Sequence, residues 1–269
     1  MARMVTCLKN LGTHDNKMSG TTHEHSGNIG RGSIEELAER IKTSRNAVVF
    51  TGAGMSTESG LSDFRSKNGL WNVEDPMELA TTSAMRGNYD KFHAFYARRF
   101  ELMGDAAPNV GHRIVAEFES RGLVRCVITQ NIDGLHAAAG SKTVYELHGS
   151  VGSVRCMECG GPSTRQDFID RTPCVKCGGR LRPGVVLFGE NLPVDVLEAS
   201  FDASEKADVF IVLGSSLQVS PANQMPGAAK RNGAYVAICN RDITVMDSLA
   251  DHRDSGGIGD FMTRLKALL

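Results

Sequence analysis

Long apolar runs are missing from this sequence of 269 residues. No stretch approaches the roughly 18 consecutive apolar residues that a membrane-spanning helix needs. The N-terminus also lacks the apolar core of a signal peptide. Both absences favour a cytoplasmic protein with no membrane partner.

A strong net charge is missing as well. The chain has 30 Lys and Arg residues against 31 Asp and Glu residues, for a formal net charge of −1. Domains that bind nucleic acid through its phosphates usually carry a clear basic excess, so we expect no direct nucleic-acid partner. The apolar fraction of 41% is ordinary for a globular protein, and the chain can therefore bury a core.

A disulfide framework is the third absence, because the cysteine count of seven is odd and no export signal is present. Two Cys-x-x-Cys pairs predict four thiolates around one structural Zn²⁺ per chain, with a redox pair as the weaker alternative. The predicted ligands are Cys156, Cys159, Cys174 and Cys177. We expect the ion to hold together a small module of about residues 151–183, which has too few apolar residues to fold alone. Cys126 and Cys239 fall in apolar strands and are interpreted as inert core thiols.

The first 32 residues differ in composition from the rest of the chain. They are rich in Gly, Ser, Thr, Asn and His and show no apolar period, which predicts a disordered tail over 1–32. Folded structure should begin at Ser33, because Ser33 and Glu36 have the spacing of a helix capping box. We therefore predict one folded domain over residues 33–269, with the zinc module inserted in it.

Short apolar, β-branched runs alternate with helical patterns along this domain. Buried strands separated by helices predict an α/β fold, in which helices cover both faces of a parallel, Rossmann-type sheet. The predicted strands are 47–51, 124–129, 144–147, 185–188, 209–213 and 235–239. The main predicted helices are near 34–41, 76–104, 111–121, 194–204, 224–232 and 258–269.

Glycine-rich and polar segments follow several of these strands. Gly52-Ala53-Gly54 comes directly after the first strand, where loop amides can approach a pyrophosphate. The third glycine of the dinucleotide motif is missing, so a plain tight turn is the alternative. Farther along, Phe64 and Arg65 offer an aromatic ring and a guanidinium suited to a nucleotide. The residues that follow two later strands are Gly214, Ser215, Ser216 and Asn240.

The densest group of reactive side chains is Thr129–His136, followed by His148. Amide, carboxylate and imidazole groups gain nothing from burial at a strand end unless each finds a partner, so they indicate a reaction site. His148 precedes the cysteine segment, and an imidazole is well matched to accepting a proton near neutral pH. The other histidines of the domain are interpreted as surface or helix-end residues: His93, His112, His136 and His252.

Taken in order, these motifs resemble the sirtuin family of NAD-dependent protein lysine deacylases, in its short bacterial form. The motifs that carry the resemblance are GAGMSTESGLSDFR, TQNIDGLH, ELHGS, the paired cysteines, LRPGVVLFGENLP and GSSLQVSPA. The resemblance runs from about Ser33 to the C-terminus. It implies that NAD⁺ and an acyl-lysine protein or peptide bind in a cleft between a Rossmann-type domain and the zinc module.

The resemblance also implies roles for individual residues, with His148 as the general base. The expected NAD⁺ contacts, from the motifs and the resemblance together, are Gly52, Ala53, Gly54, Thr57, Phe64, Arg65, Gln130, Asn131, Ile132, Asp133, His148, Gly214, Ser215, Ser216, Asn240 and Ile258. Segments Val186 to Glu190 and Gln218 to Pro221 would pair with the substrate backbone, which binds as an added strand.

The implied reaction transfers the acyl group of acyl-lysine to ADP-ribose and releases nicotinamide, with deacetylation as the first expectation. Tyr96 and Arg99 match a Tyr-x-x-Arg pair that receives negatively charged acyl groups in some sirtuins, which keeps desuccinylation or demalonylation open. An ADP-ribosyltransferase or an NAD⁺ glycohydrolase would use the same NAD⁺ pocket without acyl-lysine.

Overall fold

The computed structural model describes residues 5–6, 32–64, 66, 69–72 and 75–269. The predicted disordered tail lies outside the described residues, except at 5–6 and 32. The strands of the described part are β1 (Val5–Thr6), β2 (Ala47–Thr51), β3 (Cys126–Thr129), β4 (Val144–Glu146), β5 (Gly149–Cys156), β6 (Pro162–Ser163), β7 (Leu181–Val185), β8 (Val209–Leu213), β9 (Val219–Ser220), β10 (Tyr235–Cys239) and β11 (His252–Asp254).

The helices of the described part are α1 (Ile34–Thr43), α2 (Pro76–Leu79), α3 (Thr82–Gly87), α4 (Tyr89–Gly104), α5 (Val110–Ser120), α6 (Leu135–Ala138), α7 (Arg165–Ile169), α8 (Val194–Glu205), α9 (Gln224–Arg231) and α10 (Ile258–Ala267). Helix α1 begins as predicted, because the Ser33 side chain accepts the Glu36 amide at 3.2 Å. Among these helices, none is both long enough and apolar enough to cross a membrane.

Six strands form a parallel sheet in the order β11-β10-β8-β2-β3-β4. The predicted α/β fold with a parallel sheet is confirmed. The chain runs outward from β2 to β3 and β4, and later crosses to β8 on the other side of β2. Ligands of such sheets bind at this reversal point, outside the carboxyl ends of the strands. The ends of β2 and β8 lie side by side there, with the Gly52 amide donating to the Leu213 carbonyl at 3.1 Å.

Apolar side chains cover both faces of this sheet. Every residue of β2, β8 and β10 is buried, as expected for strands covered on two sides. One apolar layer packs against α1, α5 and α10, and the other against α8 and α9. Cys126 and Cys239 lie in these layers, where burial raises the pKa of Cys126 to about 11 and that of Cys239 to about 12. Both thiols are therefore protonated and unreactive near neutral pH.

A second, antiparallel sheet carries the cysteines. Strand β5 lies between β6 and β7, and Gly152, Ser153 and Arg155 of β5 are exposed. The apolar side chains of this sheet share one core with α4, to which Phe92 and Phe100 contribute. The cysteine segment therefore has no core of its own.

The long helical region predicted at 76–104 is in fact three helices. Thr81 and Asn88 interrupt it, because their side chains accept the amides of Ala84 at 3.0 Å and Lys91 at 3.1 Å and so begin new helices. The helical spacing of apolar residues continues across both N-caps, so the sequence pattern did not show where one helix ends and the next begins.

The strand predicted at 185–188 is displaced toward the N-terminus, since β7 ends at Val185. Beyond β7, the Val186 amide donates to the His148 carbonyl at 2.8 Å, and the Phe188 amide donates to the Ala80 carbonyl at 2.9 Å. The segment thus leaves the small sheet and runs along the helices that precede α4.

A short strand near the N-terminus, β1, pairs with β9. Strand β1 is antiparallel to β9, with Val5 opposite Ser220 and Thr6 opposite Val219. This pair forms a separate two-stranded sheet.

Candidate active site

A cleft opens where β2, β3, β8 and β10 end. It brings together most of the residues that the sequence assigned to a nucleotide. Those that line it are Gly52, Ala53, Gly54, Phe64, Gln130, Asn131, Ile132, Asp133, His148, Gly214, Ser215, Ser216 and Asn240. The cleft is also lined by Tyr96 and Arg99 of α4 and by Val186 and Phe188 after β7.

Two expected NAD⁺ contacts, Thr57 and Ile258, do not line the cleft. Thr57 follows the glycine loop, and its hydroxyl donates to the Gly54 carbonyl at 2.9 Å. Ile258 begins α10 and is buried in the apolar layer beneath that helix. Arg65 lies outside the described residues. In this structure, Thr57 braces the loop and Ile258 packs in the core.

The loops after β2 and β8 touch backbone to backbone. The Gly54 amide donates to the Gly214 carbonyl at 2.9 Å. A Cβ on Gly54 would lie 2.7 Å from the Gly214 Cα, and one on Gly214 would lie 2.4 Å from the Met55 nitrogen. Gly214 also has a φ of +64°, in the left-handed region that favours glycine. Side chains have no room here, and this close, bare backbone fits the approach of a pyrophosphate.

Polar side chains after β3 tie the glycine loops together. Gln130 Nε2 donates to Ser215 Oγ at 2.7 Å. Asn131 Nδ2 donates to Ser56 Oγ at 3.1 Å, and Ser56 Oγ donates to the Asp133 carboxylate at 2.7 Å. Ser56 was not among the site residues predicted from the sequence, although it lies just after the glycine loop. Each of these polar groups has a partner, so the cluster is a fixed cradle.

His148 lines the cleft with its ring oriented by the backbone. Its Nδ1 lies 3.0 Å from the Gln130 carbonyl oxygen. A carbonyl only accepts, so Nδ1 carries the proton and Nε2 is the basic nitrogen of the ring. Such an imidazole can take a proton through Nε2.

The four histidines interpreted as surface or helix-end residues are all buried, each no more than 7% exposed. The surface interpretation was therefore wrong for all four, and one ring nitrogen of each has a hydrogen-bond partner inside the protein. The bonds are His93 Nε2 to the Phe168 carbonyl at 2.5 Å, His112 Nδ1 to Asn109 Oδ1 at 2.9 Å, His136 Nε2 to Thr51 Oγ1 at 3.0 Å and His252 Nδ1 to the Gly32 carbonyl at 2.6 Å. His112 and His136 do lie near helix ends, in the first turns of α5 and α6.

His136 belongs to a buried chain that reaches the cleft. Thr51 Oγ1 donates to Thr129 Oγ1 at 2.8 Å, so the His136 Nε2 must donate to Thr51. Thr129 Oγ1 accepts the Asn131 amide at 3.0 Å, and Asn131 lines the cleft. Burial lowers the pKa of His136 to about 3, so this ring stays neutral near pH 7 and acts as a fixed donor.

The four predicted zinc ligands meet at one point. Their sulfurs all lie within 4.8 Å of one another, with 3.5 Å between Cys156 and Cys177 and 3.7 Å between Cys159 and Cys174. Four sulfurs about 2.3 Å from a tetrahedral zinc would be about 3.8 Å apart, so the cluster fits the ion. None of the four lines the cleft, and sulfur fills every ligand position. Zinc bound here would be structural.

A comparison of the sequence with protein-family models matches residues 52–221 to the Sir2 family. The chain belongs to the Sir2 family. This confirms the sirtuin resemblance drawn from the motifs. An NAD-dependent protein deacetylase of Oceanobacillus iheyensis is 47% identical over 228 residues, which cover 84% of this chain and 97% of that protein. An NAD-dependent protein deacylase of Aquifex aeolicus is 47% identical over 211 residues, which cover 77% of this chain and 87% of that protein.

Solved Sir2 structures share the fold over most of their length. A mutant Sir2 homologue in complex with ADP-ribose is 41% identical, with a TM-score of 0.84, and the match covers 87% of this chain and 95% of that one. A Sir2 protein with a p53 peptide and NAD⁺ is 36% identical, with a TM-score of 0.80, and the match covers 88% of this chain and 98% of that one.

One wall of the cleft of this Sir2 chain combines aromatic rings with a guanidinium. The Arg99 Cζ lies 5.2 Å from the centre of the Phe64 ring and 5.8 Å from that of Phe95. Tyr96 is 4% exposed and packs against Phe92, with 4.7 Å between ring centres. Burial raises the pKa of Tyr96, so its hydroxyl stays protonated. The Arg99 charge and the Tyr96 hydroxyl thus lie among aromatic rings at the cleft.

Proposed function

We propose that this protein is an NAD-dependent protein lysine deacetylase in which His148 is the general base. The observation that carries the proposal is the orientation of His148. Its Nδ1 is committed to the Gln130 carbonyl at 3.0 Å, and the ring lines the cleft beside the cradle after β3. The overall reaction consumes acetyl-lysine, NAD⁺ and water, and yields lysine, nicotinamide and acetyl-ADP-ribose.

The glycine loops support the assignment of the cleft to NAD⁺. A Cβ on Gly52, Gly54 or Gly214 would lie within 3 Å of neighbouring backbone atoms. Only glycine therefore allows the two loops to lie this close together. We assign the phosphates to these loops and the adenosine half to Ser215, Ser216 and Asn240. The nicotinamide ribose is assigned to the cradle formed by Gln130, Asn131, Ile132 and Asp133.

NAD⁺, when bound, supplies the ribose carbon from which nicotinamide leaves and to which the acyl oxygen bonds. His148 Nε2 then takes a proton from a ribose hydroxyl, which makes that oxygen a better nucleophile toward the acyl carbon. The Gln130 carbonyl holds Nδ1–H and stabilises the imidazolium that forms. Asn131 and Asp133 are fixed by Ser56, so the cradle needs little reorganisation as the proton moves.

The substrate backbone is assigned to the two segments that border the cleft, 186–190 and 218–221. Val186 and Phe188 of the first and Gln218 and Val219 of the second line it. An extended peptide between them would add a strand and deliver its lysine side chain into the cleft. The domain limits of 33–269, the module of about 151–183 and a cytoplasmic location belong to the same proposal. Reduced cysteines in a zinc cluster suit a reducing compartment.

The test is an assay of nicotinamide release with an acetyl-lysine peptide and NAD⁺. His148→Ala should lower kcat by about 10²-fold or more, because the proton acceptor is lost. His136→Gln, a histidine change outside the cleft, is the matched control and should keep most of the activity. Full activity of His148→Ala would contradict the role of His148. NAD⁺ consumption without any peptide would favour a glycohydrolase.

A second substrate class is favoured by the Arg99 guanidinium in the cleft wall. A carboxylate at the end of a succinyl or malonyl chain would pair with it. Its two aromatic neighbours account for part of its placement, so deacetylation remains our first assignment. A peptide panel with acetyl, malonyl and succinyl groups separates the two classes. If acidic groups are preferred, Arg99→Met should abolish that preference and spare deacetylation.

A further inference from the structure

The strand β9 borders the proposed peptide site and already has a partner. Val5 pairs with Ser220 and Thr6 pairs with Val219, in antiparallel register. Val219 and its neighbour Gln218 line the cleft. The N-terminal segment therefore lies against one of the two segments to which we assign the substrate backbone.

Among the described residues, a turn takes up one edge of β9. The Val219 carbonyl accepts the Asn223 amide at 2.9 Å, in the turn that leads into α9. Consecutive residues of a strand direct their backbone groups to opposite edges, so this turn closes the edge that the Val219 carbonyl faces. A strand added to β9 must use the other edge, and a substrate peptide and β1 cannot both occupy it.

The chain between β1 and α1 is long enough for this pairing to be intramolecular. Residues 7–33 separate Thr6 from the start of α1. A segment of that length spans up to about 90 Å when extended, which exceeds the diameter of a domain of this size. A tethered segment whose linker can span the distance also gains a raised effective concentration, so its pairing competes with a free peptide.

We propose that the open edge of β9 is a docking surface for residues 5–6 of the same chain, and that this segment competes there with the acyl-lysine substrate strand. The competition rests on the proposed function, because it concerns the peptide site of that reaction. The occupied edge lowers the affinity for peptide and leaves NAD⁺ binding and the chemical step unchanged.

The test uses the full chain with Val5→Pro and Thr6→Pro together, since proline has no amide to donate and breaks the pairing. The matched control is Val5→Ala with Thr6→Ala, which keeps both amides. We expect the proline variant to show a KM for acetyl-lysine peptide about three- to tenfold lower, with kcat and the KM for NAD⁺ unchanged. The alanine variant should resemble the natural chain. An unchanged peptide KM in the proline variant would overturn the proposal.

A binding measurement separates this proposal from the proposed function. A fluorescein-labelled peptide of residues 1–12 should bind the proline variant more tightly than the natural chain, as measured by fluorescence anisotropy without NAD⁺. This readout holds even for a chain that turns over no acyl peptide, in which case the proposed function fails and the docking surface stands. Equal binding to both chains overturns the docking surface. The peptide KM of the natural chain should not depend on enzyme concentration. If it rises with enzyme concentration, a second copy of the chain occupies β9, and the proposal of an intramolecular pairing is overturned.

Discussion

The two sheets of this protein are held together by different means. The six-stranded sheet buries entire strands between two apolar layers. The three-stranded sheet exposes much of β5, shares its core with α4 and gathers four cysteine sulfurs within 4.8 Å. Stability is spread over many contacts in the first sheet and concentrated at a few points in the second. Single changes should therefore disable the small sheet while the large sheet stays folded.

Removal of the metal should have the largest effect. With zinc bound to the four cysteines, chelation removes a stabilisation of about 10 kcal/mol, as in small zinc domains. Hydrogen exchange should then accelerate in residues 149–185 and stay slow in β2 and β8. Cys174→Ser should lose the bound zinc, whereas Cys126→Ala, outside the cluster, should keep one zinc per chain. Equal loss of protection from hydrogen exchange in both sheets would contradict the idea that zinc stabilises mainly the small sheet.

The ion pair between the buried guanidinium of Arg182 and the partly exposed carboxylate of Glu190 ranks next. Arg182 is 5% exposed, its Nη1 lies 2.5 Å from Glu190 Oε1, and its Nη2 donates to the Val185 carbonyl at 2.7 Å. Arg182→Met leaves the Glu190 carboxylate without this partner and should cost about 3–5 kcal/mol in the free energy of unfolding. Adding Glu190→Gln should recover part of that loss in denaturant titrations. No recovery in the double variant would show that the packing of Arg182 matters more than its charge.

The large sheet offers a smaller, local effect through His136. His136→Met removes the donor to Thr51, and with it the support of Thr129 and of the Asn131 amide. We expect the KM for NAD⁺ to rise about five- to tenfold, the size of one lost hydrogen bond, with the KM for peptide unchanged. His136→Gln keeps a donor near Nε2 and should restore most of the affinity. Similar kinetics for both variants would assign His136 to packing alone.

The pH dependence of the small sheet should be the weakest of these effects. Burial alone would raise the pKa of Glu190, but the hydrogen bonds from Arg182 and the Leu187 amide hold it below 4.5. A carboxyl with a lowered folded-state pKa stabilises the fold above about pH 4.5 and loses that contribution as the pH falls through the folded value. Urea titrations from pH 6 to pH 3 should therefore show a decline that Glu190→Gln reduces. An unchanged slope in that variant would point to other carboxylates.

Sequence patterns predicted the large sheet better than the small one. The strands at 47–51, 209–213 and 235–239 have the predicted bounds, because β-branched runs buried on both faces carry a strong local signal. The strand predicted at 185–188 is displaced because Val186 and Phe188 bond instead to His148 and Ala80, which lie far away in the sequence. Hydrogen bonds to residues far away in the sequence produce no periodic pattern of apolar residues, so the sequence could not predict them.

In the candidate site, too, local features were predicted from the sequence and features that depend on distant residues were not. The glycine loops, the cradle after β3 and the cysteines follow from residue type and spacing, and the structure brings each group together. The burial of His93, His112, His136 and His252 did not follow, because it depends on how other elements pack over each ring. Three of the four also bond to partners far away in the sequence. Ser56 was missed for the same reason, since its two partners come from the loop after β3.

Helix α4 connects the small sheet to the cleft. Phe92 and Phe100 pack into the core of the small sheet, while Phe95 and Arg99 of the same helix line the cleft. We therefore expect any loosening of the small sheet to reach, through α4, the cleft wall at Arg99, where we propose that the acyl group binds. The loops that we assign to NAD⁺ lie outside this helix. Partial zinc depletion should reduce the selectivity between short and long acyl chains before it lowers the affinity for NAD⁺. The acyl-chain selectivity of a preparation would then report its zinc content.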